Sequence, residues 1–91
     1  MTALHTDEYR RFAALLVQAR RDANLSQYDV ADRLGVPQSF VSKYESARRR
    51  LDVIEFVRIA IAMNVDPAEL IRTLGKDVGT FNVPVRNVGS T

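Results

Sequence analysis

The chain has 91 residues, 46% of them apolar, a formal net charge of +2 and an isoelectric point near 9.4. This length suits one domain with a modest core, most economically a helical bundle, and the apolar share argues against global disorder. With no cysteine and His5 as the only histidine, disulfides, thiolate metal sites and a four-ligand zinc site are excluded.

Helix signals recur along the chain with clear punctuation. Thr6 suits a cap, and Asp7 and Glu8 complement the positive end of a helix dipole. Tyr9, Phe12, Leu16, Ala19 and Ala23 then follow a 3.6-residue period up to Asn24, a left-handed stop. Ser26 opens a second helix with Asp29 in capping-box position. Val30, Ala31 and Leu34 form its apolar face, and Gly35 ends it. Pro37 suits the first turn of a third helix. There Val41 and Tyr44 point inward, with Phe40 at the edge. Ser46, Ala47 and three arginines read as a loop.

Asp52, with Glu55 three residues on, starts a fourth helix whose core face is Val53, Phe56, Val57, Ala60 and Met63; Asn64 stops it. Asp66-Pro67-Ala68-Glu69 repeats the start signal for a short fifth helix with Leu70, Ile71 and Leu74, closed by Gly75. From Lys76 onward the helical period disappears. Phe81, Val83 and Val85 alternate with Thr80, Asn82 and Pro84, which fits either a short edge strand or a disordered tail. The expected fold class is therefore all-α, five helices followed by a non-helical C-terminal tail.

Charge is unevenly distributed. From Gln38 to Leu51, Lys43, Arg48, Arg49 and Arg50 face one anion, Glu45. From Asp52 to Asp77, three cations stand against five anions. This asymmetry orients a protein toward phosphate. Helices two and three are short and joined by a tight turn, which holds the second helix across the first and projects it outward. The outward face carries Gln38, Ser39, Ser42 and Lys43, all capable of hydrogen bonding, and a major groove about 12 Å wide accepts one such helix.

Leu25-Ser26-Gln27, Val30-Ala31, Leu34-Gly35-Val36, Val41-Ser42-Lys43-Tyr44-Glu45, Arg49-Arg50-Leu51-Asp52 and the stretch from Ala60 to Asp66 agree in order and spacing with one family. Over roughly residues 10–74 the chain resembles the phage-repressor and Cro-like (lambda-repressor-like, XRE-type) helix-turn-helix DNA-binding proteins. The resemblance implies a five-helix domain over 6–75, with the motif at about 26–46 and the recognition helix at about 37–46. Residues 1–5 form an arm and 76–91 a tail. It implies base-edge contacts by Gln38, Ser39, Ser42 and Lys43. Phosphate contacts are implied for Gln27, Ser46, Arg48, Arg49 and Arg50, with Arg20 grouped beside them through an ion pair to Glu45 that positions the recognition helix. Three positions depart from the family pattern. Ser39 is short, Ser46 stands where Asn or Arg is frequent, and Pro37 replaces a Ser/Thr cap.

Read without the motif, the arginine run is an ordinary solvated loop and Gln27 an ordinary surface residue. Tyr28 fits the edge of the core or a phosphate contact, and His5 a surface position. No catalytic constellation or glycine-rich phosphate loop is present, so no enzyme activity, cofactor or small-molecule ligand is expected.

The function this implies is a sequence-specific double-stranded DNA-binding regulator. It is expected to be a homodimeric repressor on a palindromic or pseudo-palindromic operator, acting by promoter occlusion. The alternative is an antitoxin or other interaction module whose tail binds a protein partner. Ile54, Ile61, Ile71, Phe81, Val83 and Val85 are the candidate dimer surface. There is no basic-then-apolar signal pattern and no apolar run near the roughly 20 residues of a membrane helix. The expected location is the cytoplasm of a bacterium, or of the host for a phage-encoded protein, at the nucleoid.

Overall fold

The chain forms five helices, α1 (Thr6–Asp22), α2 (Gln27–Leu34), α3 (Gln38–Glu45), α4 (Val53–Ala62) and α5 (Pro67–Val78), with no strand among residues 6–78, which this computed structural model describes. The arm with His5, and the tail residues Phe81, Val83 and Val85, lie outside the described residues.

Side chains of the first turn set the helix starts. Ser26 Oγ accepts from Asp29 N at 3.0 Å while Asp29 Oδ2 accepts from Ser26 N at 2.8 Å, a complete capping box. Asp52 and Glu55 make the same reciprocal pair at 2.7 and 3.0 Å. Asp66 Oδ1 accepts from Ala68 N at the start of α5. Left-handed residues set the ends: Asn24, Gly35 and Asn64 have φ of 60°, 72° and 62°. After each of them the chain folds back and an apolar residue (Leu25, Val36 or Val65) packs onto the core.

The core is built from Leu16 of α1, Val30 and Ala31 of α2, Val41 and Tyr44 of α3, and Phe56, Ile59 and Met63 of α4. Helix α2 packs on α3 and α4, α1 on α3 and α5, and α4 on α5. Phe12 joins the two ends of this core, its ring 5.4 Å from Tyr9 and 5.5 Å from Phe56. Arg33 Nη1 donates to the Ala62 carbonyl at 2.7 Å, tying α2 to the end of α4.

Three local expectations need correction. Val53 is not core but 73% exposed. It stands in the first turn of α4, on the rim of an open apolar groove between α4, α1 and α5. Ile59, absent from the expected core face, is instead buried. Val53-Ile54-Glu55-Phe56-Val57-Arg58-Ile59-Ala60-Ile61 is apolar on most sides, so periodicity alone does not select the inward stripe. Helix α5 does not close at Gly75 but runs through it to Val78. One glycine costs a helix only about 1 kcal/mol, and α5 is supported along its length by packing on α1.

Candidate nucleic-acid interface

Helix α3 lacks the capping box that starts both α2 and α4. Its N-cap is Pro37, which offers no side-chain acceptor, and its end turns on Ala47 at φ 63°. The Ala47 and Arg48 amides nevertheless close the helix onto the Tyr44 and Lys43 carbonyls at 3.2 and 2.9 Å. A left-handed alanine costs roughly 1–2 kcal/mol, so neighbouring contacts hold this turn. Val41 and Tyr44 anchor α3 in the core. Burial pushes the Tyr44 phenol well above its ordinary range, and its hydroxyl has no hydrogen-bond partner among the described residues. On the other side of α3, Ser39 and Lys43 are exposed and Gln38 and Ser42 half-buried.

A chain of polar contacts runs from α1 to the first turn of α3. Arg20 Nε and Nη2 donate to the two oxygens of Glu45 at 2.7 and 3.0 Å, and Nη1 donates to the Leu25 carbonyl at 2.8 Å. The hydrogen bonds to Glu45 raise the Arg20 pKa above its usual value. The pair is largely shielded, with side chains 11% and 5% exposed. Gln27 Nε2 then donates to Glu45 Oε1 at 2.9 Å, and Gln27 Oε1 accepts from Gln38 Nε2 at 2.7 Å. Glu45 accepts only, so it forces the Gln27 nitrogen toward itself and the Gln27 oxygen toward Gln38. Gln38 is left with its own oxygen and one amide hydrogen. With all three guanidinium nitrogens engaged, Arg20 sits inside the fold as the anchor of this chain. Gln27 has one uncommitted amide hydrogen.

The three arginines of the loop differ from one another. Arg48 is exposed, its Nε donating to Ser46 Oγ at 3.0 Å. Ser46 Oγ in turn donates to the Lys43 carbonyl. Arg50 is exposed and its guanidinium lies 4.6 Å over the Tyr9 ring. Arg49 folds back onto the protein surface, half-buried, with Nη1 and Nη2 on the Glu55 carboxylate at 3.2 and 3.0 Å and its guanidinium 4.6 Å over the Phe40 ring. The Arg49 hydrogen bonds hold the Glu55 carboxyl below its ordinary range. Lys43, Arg48 and Arg50 are therefore the cations of this end of the molecule without an ion pair among the described residues. Sequence reasoning treated the three arginines alike, since nothing local marks the middle one. Tyr28, 70% exposed, lies outside the core.

The geometry is that of a short helix presented outward on a packed partner helix, with cations at its far end. A helix-turn-helix family model matches residues 16–70. The chain belongs to the XRE-type helix-turn-helix family. It is 43% identical to an XRE-family like protein from Pseudomonas syringae pv. tomato str. DC3000, with a TM-score of 0.78 over 85% of this chain and 94% of that one. It is also similar to the restriction-modification controller protein C.AhdI from Aeromonas hydrophila, 28% identical with a TM-score of 0.63 over 70% of this chain and 96% of the other. No curated protein matches the chain. As a member of this XRE-type family the protein is a DNA-binding transcriptional regulator. No helix among the described residues is long and apolar enough to cross a membrane.

Proposed function

We propose that this protein is a dimeric, sequence-specific repressor that places α3 in the major groove and occludes a promoter. The Gln38 amide carries the reading. Held by Gln27, it retains one acceptor and one donor, the pair that matches N6 and N7 of adenine. Ser39, Ser42 and Lys43 face the neighbouring base edges. Ser46, Arg48, Arg50 and the second amide hydrogen of Gln27 face phosphate. The similarity to a restriction-modification controller supports a regulatory role.

The dimer reading rests on exposed apolar side chains. Ile54 and Ile61 share one face of α4, seven residues apart, at 61% and 66% exposed. Val53 and Ile71 line an open apolar groove of about 300 Å³. Two copies joined there would present two α3 helices to half-sites about 34–36 Å apart.

Selection of bound duplexes from a random pool tests the first part. A recovered site with two inverted half-sites is expected, and Gln38→Ala should lose about 1–3 kcal/mol of discrimination at one base position. Sedimentation at micromolar protein tests the second: a monomer that does not associate removes the dimer.

A further inference from the structure

The loop between α3 and α4 is tied down from three sides. From α1, the Tyr9 hydroxyl donates to the Arg49 carbonyl at 3.3 Å and accepts from Leu51 N at 2.9 Å. From α4, Glu55 takes the Arg49 guanidinium with two hydrogen bonds. From α3 itself, the Phe40 ring lies under the same guanidinium, and Phe40 packs edge-on against the buried Tyr44 at 5.6 Å. The Arg49 Nη1 also donates to the Arg50 carbonyl at 3.0 Å, which holds the loop's own backbone. One guanidinium thus touches the recognition helix, the loop and the first turn of α4.

We propose that Arg49 is a positioning residue rather than a phosphate ligand. With Glu55 and Tyr9 it locks the left-handed turn at Ala47, sets the end of α3 and aims Arg48 and Arg50 outward. This deepens the DNA-binding reading and rests on it. Three features support the assignment. A fork of donors already matched to a carboxylate does not turn to phosphate without breaking both bonds. Helix α3 has no side-chain cap, and its end sits on a strained residue, so its orientation depends on contacts from elsewhere. The flanking arginines, by contrast, point to solvent.

Glu55→Gln separates the two roles, because glutamine keeps the Oε1 acceptor of the capping box but loses the carboxylate charge and the Oε2 acceptor that holds Arg49 Nη2. Backbone hydrogen exchange in the free protein is read first, at the amides of Ala47, Arg48, Arg49 and Leu51, all of which donate hydrogen bonds. Their exchange is expected to rise about tenfold in Glu55→Gln and Tyr9→Phe while the central amides of α1 and α2 stay unchanged. A uniform rise through all five helices overturns the proposal, since the pair then acts on global stability alone. Binding is read second, on a duplex selected with the wild-type protein and on a random-sequence duplex.

The ratio of the two affinities is expected to fall about three- to tenfold in Glu55→Gln with the salt slope on random duplex unchanged, whereas Arg48→Ala and Arg50→Ala each flatten that slope by about 0.9. If Arg49→Ala flattens the salt slope on random duplex by the same amount as Arg48→Ala, Arg49 is a phosphate ligand in the wild type and the proposal fails. A wild-type protein that binds neither duplex defeats the DNA reading itself, and the exchange experiment still decides the clamp.

Discussion

Helices α2 and α3 are each eight residues long and pack against each other, yet they are held by opposite means. Helix α2 carries its own punctuation, a capping box at Ser26 and Asp29 and a glycine at its left-handed end. Helix α3 has proline at its start and alanine in the left-handed position. Isolated helices this short are marginal in water. Helix α2 gains from its ends, whereas α3 depends on what surrounds it: Val41 and Tyr44 in the core, Arg20 and Gln27 on Glu45, and Arg49 on Phe40. The helix proposed to face DNA is thus the one whose position is decided by other elements. A change in any of those elements therefore reaches the proposed DNA-facing surface without touching it.

The largest test of this contrast is Arg20→Ala. It leaves the shielded Glu45 without its cation and is expected to cost about 2–3 kcal/mol, between the values for surface and buried pairs, as read by urea denaturation. DNA selectivity should fall in the same variant even at temperatures where it is fully folded, because Glu45 loses the guanidinium that fixes its position and the Gln27 and Gln38 amides lose their anchor. Unchanged selectivity would detach α1 from the recognition surface.

Two changes near 1 kcal/mol probe the helices separately. Ser26→Ala removes the α2 cap and should destabilise by about 1 kcal/mol, with no loss of base preference. Tyr44→Phe removes a buried hydroxyl that lacks a partner among the described residues and should stabilise by about 1 kcal/mol. A loss on Tyr44→Phe would mean the hydroxyl is satisfied.

Ala47→Gly is smaller, a gain of about 0.5–1 kcal/mol. It relieves the left-handed alanine and gives back part of that in unfolded-state entropy. If the turn at Ala47 is held by Arg49, the glycine variant should also blunt the exchange response to Glu55→Gln.

The smallest effect is on pH dependence. Arg49 and the Asp52 backbone hold the Glu55 pKa below its unfolded value. The Ser26 backbone and side chain do the same for Asp29. Their stabilisation is present above the unfolded values of about 4 and is lost as pH falls through the lower folded values. Melting temperature should drop in acid below about pH 4, and Glu55→Gln should flatten that drop.

Much of this arrangement was legible in the sequence. Ser26 with Asp29 and Asp52 with Glu55 mark helix starts by residue type alone, and Asn24, Gly35 and Asn64 mark ends, because caps and left-handed turns depend on neighbours within four residues. The spacing of α2 and α3, and the outward set Gln38, Ser39, Ser42 and Lys43, follow from period and turn length. The inward face of α4 was not legible, since its apolar residues surround the helix and only its packing in the bundle separates the buried Ile59 from the exposed Val53 and Ile61. Nor was the left-handed Ala47, whose side chain carries no preference for that conformation.

The sequence by itself determined where most helices begin and end, the family, and the outward helix proposed to meet DNA. Caps, periods and motif spacing are short-range, and each can be read one window at a time. Only the tertiary structure decided which of the three arginines pairs with Glu55, how Gln27 and Gln38 are oriented, and what supports α3. Arg20 and Glu45 are 25 residues apart, and the Tyr9 hydroxyl reaches Leu51 across 42. Contacts at such separation exist only once the core has brought α1, α3 and α4 together.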